Sequence, residues 1–182
     1  MSACSFEYNC SVIQNNLDKP RGLALHSTKK YLYVTEYGKE PKIVRMSQDG
    51  SNSVNILSKK VSPYLSTPNC IFVDETIDRI FWADADLSTN SGTISSANLD
   101  GSDVRLVVKD YHHPFGVTVF EDRVYWTDWQ YYVLKSANKF TGNDIRTEIT
   151  SNKWQLNGIK LHITKSVEVC FVYCSSVKFL LN

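Results

Sequence analysis

The 182-residue sequence lacks any imbalance of charge, since 20 basic and 19 acidic residues leave a net charge of +1. Such a chain has no long-range field that would draw it to nucleic acid or to an anionic bilayer. It also lacks an apolar run near the ~20 residues that a membrane-spanning helix needs. The first ten residues lack the basic and apolar regions of a secretory signal. As written, the sequence predicts no nucleic-acid partner, and membrane attachment only through a longer parent chain.

Cysteine is scarce and odd in number, so the five cysteines cannot all pair within one chain. They are Cys4, Cys10, Cys70, Cys170 and Cys174. The pairs near the two ends are compatible with disulfides, with remnants of neighbouring modules or with buried thiols. His162 together with Cys170 and Cys174 has the ligand types of a zinc site but no fourth ligand at a recognisable spacing. We therefore predict no metal and no cofactor.

Three segments, residues 19–61, 66–111 and 112–155, repeat one pattern. Each opens with a proline and an apolar stretch, passes a polar turn, and reaches an aromatic tetrad that ends in an acid. The tetrads are Tyr33–Glu36, Phe81–Asp84 and Tyr125–Asp128. Another short β-rich stretch, a glycine-containing turn and a last β-rich stretch follow each tetrad. A period of about 45 residues with four short strands is typical of a β-propeller blade, whereas helical periodicity is absent.

Three acids, Glu36, Asp84 and Asp128, close the tetrads, one in each repeat. A carboxylate at the end of a buried strand is costly unless it accepts hydrogen bonds. Catalysis or metal binding would need carboxylates that converge on one place, whereas these are distributed around the repeats. We therefore expect a structural, inter-blade role, in which each acid accepts bonds from backbone N–H groups of an adjacent blade.

The motif of the third repeat, Tyr125-Trp126-Thr127-Asp128 after His113-Pro114-Phe115-Gly116, resembles the YWTD (class B repeat) propeller of low-density-lipoprotein-receptor-related proteins. The propeller of nidogen is similar too. The resemblance implies an all-β fold, a partial six-bladed YWTD propeller with about three to four four-stranded antiparallel blades. The sequence departs from the pattern at Val34 and Glu36, and at Cys70, where the family has glycine.

The resemblance also suggests a division of the chain. Residues 1–18 would end a preceding blade or module, residues 19–163 would form propeller blades, and residues 164–182 would be an atypical tail. Six blades need about 260 residues, so the missing blades would come from a longer parent, which we favour, or from another chain, or the tail from Val167 to Leu181 would cover part of the gap.

The mouth of the central channel is where propeller binding loops cluster. The residue after each repeat's first proline falls there, and two neighbours join it in the predicted ligand-binding set. That set is Arg21, Asn69, His113, Phe115 and Trp129. The resemblance implies that such positions grip a short Asn-containing peptide. His113 would charge on acidification and change the fit of a partner, unless it only holds the turn at Pro114.

We expect a non-catalytic, extracellular protein-binding module of a receptor that acts in endocytic uptake or in Wnt-type co-reception. One alternative is a nidogen-like linker of basement membrane. The other is a calcium-dependent propeller hydrolase, which would need several oxygen ligands pointing into the channel.

Overall fold

The computed structural model describes residues 11–86, 88–110, 113–152, 156–163, 168–174 and 178–181. Three four-stranded antiparallel sheets follow one another along the chain, each in the order of its strands. Blade 1 has β1 (Pro20–His26), β2 (Tyr31–Glu36), β3 (Lys42–Ser47) and β4 (Val54–Ser58). Blade 2 has β5 (Pro68–Asp74), β6 (Arg79–Asp86), β7 (Ser91–Asn98) and β8 (Arg105–Asp110). Blade 3 has β9 (Pro114–Phe120), β10 (Arg123–Asp128), β11 (Val133–Asn138) and β12 (Arg146–Thr150).

A fourth sheet follows, with the order β13 (Leu156–Ile163), β14 (Glu168–Cys174) and β15 (Lys178–Leu181). The segment that the sequence suggested would be an atypical tail thus supplies strands to this sheet. The all-β partial propeller is confirmed. Within the described ranges there is no helix that could cross a membrane.

The first strands of the blades, β1, β5, β9 and β13, contact one another in that order, while β4, β8 and β12 lie at the opposite edge of their sheets. The sheets therefore stand like wedges around a centre. We call β1, β5 and β9 the inner strands, and the end of the channel at Pro20, Pro68 and Pro114 the channel mouth.

Apolar side chains fill the seams between the sheets, as strand alternation requires of a sheet that is covered on both faces. Tyr33, Ile43 and Trp82 belong to the cluster between blades 1 and 2, and Phe81 and Trp126 to the one between blades 2 and 3. Phe81 and Trp82 are neighbours on β6 yet enter different seams, because successive strand residues face opposite sides. This explains why the second and third tetrads carry aromatics at adjacent positions.

Candidate ligand-binding site at the channel mouth

Arg21, Asn69 and Phe115 occupy the second position of the three inner strands, directly after the proline. Because the inner strands lie side by side at the centre, these three residues come together at the channel mouth. The structure thus assembles residues that lie almost 50 positions apart in the sequence. The repeat makes this possible, because equivalent positions of each blade meet around one axis.

The inner strands approach one another closely enough to need glycine. A Cβ added at Gly22 would lie 2.6 Å from the carbonyl oxygen of Asn69, and one at Gly116 would lie 3.0 Å from the amide nitrogen of Ile159. Thr35 lies beside the first contact, where its Oγ1 accepts a bond from Gly22 N at 2.8 Å and donates to Asn69 O at 2.6 Å. The Thr35 hydroxyl therefore joins β1, β2 and β5.

Cys70 stands where the other two inner strands have glycine, and the facing position on β6 changes with it. In blade 3 the hydroxyl of Thr127 accepts from Gly116 N at 2.9 Å, whereas blade 2 has Ala83 at the corresponding position. The small alanine leaves room for the thiol, which packs with Ala83 in the cluster between blades 2 and 3. Burial raises the pKa of Cys70 to about 11, against the opposing effect of Arg21, so the thiol is protonated at neutral pH.

The side chain of Asn69 is only 3% exposed and links two neighbouring inner strands. Its Oδ1 accepts a hydrogen bond from Nη1 of Arg21, and its Nδ2 donates to the carbonyl oxygen of Pro114 at 2.7 Å. The guanidinium carbon of Arg21 lies 3.7 Å from the ring centroid of Tyr37. Asn69 and Tyr37 therefore hold the exposed Arg21 in one orientation at the mouth, which reduces the entropy that a ligand would have to remove.

Phe115 and Trp129 form the aromatic side of the site. Their rings stack with centroids 4.1 Å apart and an interplanar angle of 18°, and both side chains are half-buried. The indole Nε1 of Trp129 has no hydrogen-bond partner in the part of the chain that the structure describes. The Arg21 guanidinium lies 6.0 Å from the centroid of Phe115, so cation and aromatic pair adjoin.

His113 precedes β9 and is half-buried. Its backbone carbonyl accepts a bond from Trp129 N at 3.0 Å, while its Nε2 has no partner among the described residues. The backbone of His113 thus fixes the start of the segment that carries Trp129. The structure brings Arg21, Asn69, Phe115 and Trp129 into direct or one-step contact, and the backbone of the fifth predicted residue, His113, bonds Trp129.

The three tetrad acids are buried, and each accepts backbone N–H bonds. Oε2 of Glu36 accepts from Asp18 N at 2.6 Å. Asp84 accepts from Ser66 N at 2.8 Å and Thr67 N at 3.1 Å. Oδ1 of Asp128 accepts from the amides of the turn that follows it, and its Oδ2 has no partner among the described residues.

The expectation that these amides belong to an adjacent blade is wrong for Asp84 and for Asp128, whose donors lie in their own repeats. The donor to Glu36 is Asp18, just before β1. Antiparallel pairing sets Pro20 opposite Glu36 and Pro68 opposite Asp84. The nearest free amides are therefore those just before the proline, on the segment that leads into the same blade. Burial raises the pKa of Asp84 to about 6, although the amides of Thr67 and Ser66 lower it.

Sequence reasoning missed Tyr37, Thr35 and Thr127. Tyr37 follows the first tetrad as Trp129 follows the third, and this equivalence was the signal that could have found it. Within the described ranges no three histidine, cysteine or acidic side chains converge as metal ligands. The side chains of the weak zinc candidate, His162 with Cys170 and Cys174, lie outside the described ones.

Comparison with known sequences places this geometry in a family. The family described as low-density lipoprotein receptor repeat class B matches residues 78–121. The vitellogenin receptor of Solenopsis invicta is 38% identical over 136 residues, which cover 74% of this chain and 7% of that receptor. Low-density lipoprotein receptor-related protein 5 of Homo sapiens is 35% identical over 108 residues, 59% of this chain and 6% of that protein. The chain thus spans less than a tenth of these relatives.

Comparison with solved structures supports the fold. A chain in the crystal structure of a nidogen/laminin complex superposes with a TM-score of 0.74 at 24% identity, over 90% of this chain and 60% of that one. A gluconolactonase from Xanthomonas campestris superposes with a TM-score of 0.70 at 18% identity, over 89% of this chain and 58% of that one. These identities are low, so the two structures speak for the architecture alone. The sequence matches and the wedge-packed tetrad strands together show that this chain belongs to the low-density lipoprotein receptor class B repeat (YWTD) propellers.

Proposed function

We propose that the chain is a non-catalytic, extracellular module that binds a protein ligand at the channel mouth of a low-density-lipoprotein-receptor-related receptor. The relatives reported above are receptors by name, which supports the receptor context. The observation that carries the proposal is the convergence of Arg21, Phe115 and Trp129 around the buried Asn69. Arginine and tryptophan are among the residue types that dominate binding energy at protein interfaces, and here an exposed Arg21 lies near a half-buried Trp129 on a rigid support.

The roles of the site residues follow from their contacts. Arg21 offers a fixed guanidinium to a carboxylate or to backbone carbonyls of a ligand. Phe115 and Trp129 offer a rigid, stacked aromatic surface. Asn69 positions Arg21, and its second amide proton is the group left for an asparagine or backbone carbonyl of a bound peptide. A short Asn-containing peptide is therefore our proposed ligand.

A displayed peptide library tests this proposal. Two libraries, one with a fixed central asparagine and one with a fixed central alanine, are selected against the full chain. We expect the asparagine library to yield binders that Arg21→Ala and Trp129→Ala each weaken at least tenfold, roughly 1.4 kcal/mol. Arg105→Ala, at an exposed site on the outer strand β8, is the matched control. Selected peptides that bind all variants equally would place the site elsewhere.

Two other functions share the same architecture. A nidogen-like linker of basement membrane is compatible with the fold. The other segments that the complete gene encodes would distinguish such a linker from a receptor. A calcium-dependent hydrolase is disfavoured by charge, because the Arg21 guanidinium bonds the Asn69 oxygen that would serve as a ligand, and like charges repel. Calcium titration by calorimetry would contradict this if it revealed one tight site.

We propose that residues 1–18 end a preceding blade and that further blades complete the ring. The carbonyl oxygen of Ile13 lies 2.0 Å from a Cβ built on Gly50, as the carbonyls of Ile56 and Val107 lie 2.1 and 1.8 Å from Gly101 and Gly142. Ile56 and Val107 belong to the outer strands of their blades, so Ile13 takes the place of an outer strand ahead of blade 1. Leu23, 66% exposed on β1, faces the side where the rest of that blade would pack.

The pH response of His113 stays a prediction. We propose that a selected peptide binds differently at about pH 7 and about pH 5.5, where an unperturbed imidazole changes charge, and that His113→Ala removes this difference. Equal affinities of the wild-type chain at both pH values would contradict the proposed pH response of His113, and would leave the proposed ligand site unaffected. Whether the parent acts in endocytic uptake or in Wnt-type co-reception depends on its other segments, and uptake assays on the full receptor would separate the two.

A further inference from the structure

The outer edge of blade 1 carries a groove of ≈ 450 Å³. Its walls are the turn between β2 and β3 (Lys39–Pro41), the edge strand β4 from Asn55 to Ser58, and the segment that follows it (Lys59–Val61). We call this surface the lysine groove. It lies at the opposite edge of the sheet from Arg21, so it is separate from the channel mouth.

The lining of the groove carries an excess of positive charge, with the three lysines Lys39, Lys59 and Lys60 against one acid, Glu40. Across the part of the chain that the structure describes, none of these three ammonium groups lies within ion-pair distance of a carboxylate. Two carboxylates outside the lining are nearby, since Asp18 accepts a bond from the backbone N of Lys39 at 2.8 Å and Asp84 attracts Lys59. Other lysines of the chain do have ion pairs, as Lys42 has with Glu36 at 3.4 Å. Lysines without an ion pair at the rim of a groove attract an anionic partner.

The backbone of β4 offers a second kind of binding group. Among the described strands β4 pairs with β3 alone, so its other edge presents N–H and C=O groups that an extended segment can bond. Apolar surface accompanies this edge, because Val61 is 69% exposed and Val54 is 48% exposed. Successive side chains of a strand point to opposite faces, so acidic and apolar residues would suit the groove in alternation.

The outer strand of blade 2 shows what distinguishes β4. The groove beside β8 is lined by Asp84 and Asp86 together with Lys109, so its charges are mixed. Of the described strands β4 and β8, β4 combines a free edge with a groove of net positive charge. Charge complementarity therefore identifies an acidic occupant for the edge of β4.

We propose that the lysine groove binds an extended acidic segment of a partner protein, which adds as a strand to the free edge of β4. Main-chain bonds to β4 would supply affinity, and the three lysines would select acidic side chains. The competing explanation is that lysines beside an edge strand only prevent two copies of the chain from pairing. The experiment has to separate binding from such protection.

The probe is a fluorescent heptapeptide that alternates glutamate and valine, with two comparison peptides. One replaces each glutamate by lysine, and the other replaces the central valine by proline, which cannot complete a strand ladder. Fluorescence anisotropy with the full chain should show saturable binding of the acidic peptide only. The variant Lys39→Glu/Lys60→Glu should weaken it roughly tenfold or more. Lys30→Glu, at an exposed lysine outside the groove, should leave it unchanged.

Amide hydrogen exchange gives the structural readout. Binding should protect the amides of β4 and leave those of β8 unchanged. The proposal is overturned if the acidic peptide does not bind, or if the lysine peptide binds equally well. Equal binding of the proline peptide would also overturn it, since attraction would then be ionic without strand addition. Self-association of the double variant without any peptide binding of the wild type would assign the lysines to protection alone.

Discussion

Asp84 permits a sharp test of how burial and hydrogen bonding compete inside a blade. The carboxyl group is 3% exposed and accepts two backbone amide bonds. Burial is the larger effect and raises its pKa from 3.8 to about 6. A change of about two units corresponds to about 3 kcal/mol. The folded chain therefore holds a proton at Asp84 in a range where the unfolded chain has lost it.

The sign of the pH dependence follows from this proton count. Between about pH 4 and pH 6 Asp84 holds more protons in the folded state than in the unfolded state, so the contribution of this group to the free energy of unfolding falls as pH rises through this window. In the variant Asp84→Asn the group does not titrate, and its amide oxygen accepts one bond as the protonated acid does. We expect wild type and variant to be close near pH 4, and the variant to gain up to about 3 kcal/mol on the wild type by pH 7.

Urea unfolding followed by tryptophan fluorescence measures this difference, because Trp82, on the same strand, is completely buried. Asp100→Asn is the matched control, since Asp100 is exposed and its bonds from Ser102 lower its pKa. The free energy of unfolding of this control should not rise relative to that of the wild type as pH rises. The reasoning would be refuted if the free energies of unfolding of the wild type and Asp84→Asn changed in parallel with pH. It would also be refuted if the wild type became more stable relative to the variant as pH rises. The amides of Ser66 and Thr67 would then outweigh burial.

Three further predictions address the packing between blades. Gly22→Ala should lower the free energy of unfolding by about 1–3 kcal/mol, because the added Cβ would lie 2.6 Å from Asn69 O; an unchanged urea midpoint would contradict the close approach. Lys139→Met should lower the free energy of unfolding by about 3–5 kcal/mol, because it leaves Asp74, which Lys139 bonds at 2.7 Å across the seam between blades 2 and 3, buried and unpaired. Adding Asp74→Leu should recover most of this loss. A double-mutant cycle that shows no coupling between the two positions would argue against the ion pair. Cys70, with its pKa of about 11, should be alkylated by iodoacetamide at about pH 8 at least tenfold more slowly in the folded chain than in urea, and equal rates would show an open thiol.

The tetrads show why the fold could be predicted from the sequence. Tyr33, Phe81 and Tyr125 recur with similar spacing, and each lies on the second strand of its blade. Because the same pattern recurs in each repeat, the sequence predicts the same kind of sheet several times. Neighbouring sheets of one kind then pack against one another in chain order. The residues of the channel mouth could be predicted for the same reason, because Arg21, Asn69 and Phe115 occupy equivalent positions in three repeats.

The contacts that those residues make could not be predicted from the sequence. Asn69 was expected to face a ligand, and its bonds to Arg21 and to the carbonyl of Pro114 were not predicted. Tyr37, which holds the Arg21 guanidinium, was not identified at all. Hydrogen-bond partners depend on the separation and tilt of neighbouring sheets at the level of an ångström, and no pattern of residue types records such distances.

The sequence by itself determined that this chain forms four-stranded wedges, because the period of the pattern and the alternation of its side chains are local properties of strands. Only the tertiary structure decided that Glu36 and Asp84 bond the residues just before the inner strand of their sheet. It likewise decided that Cys70 packs against the cluster that contains Ala83, and that the lysines of the β2–β3 turn and of the segment after β4 meet at one groove. Each of these depends on residues far apart in sequence, which come into contact only after the sheets have packed.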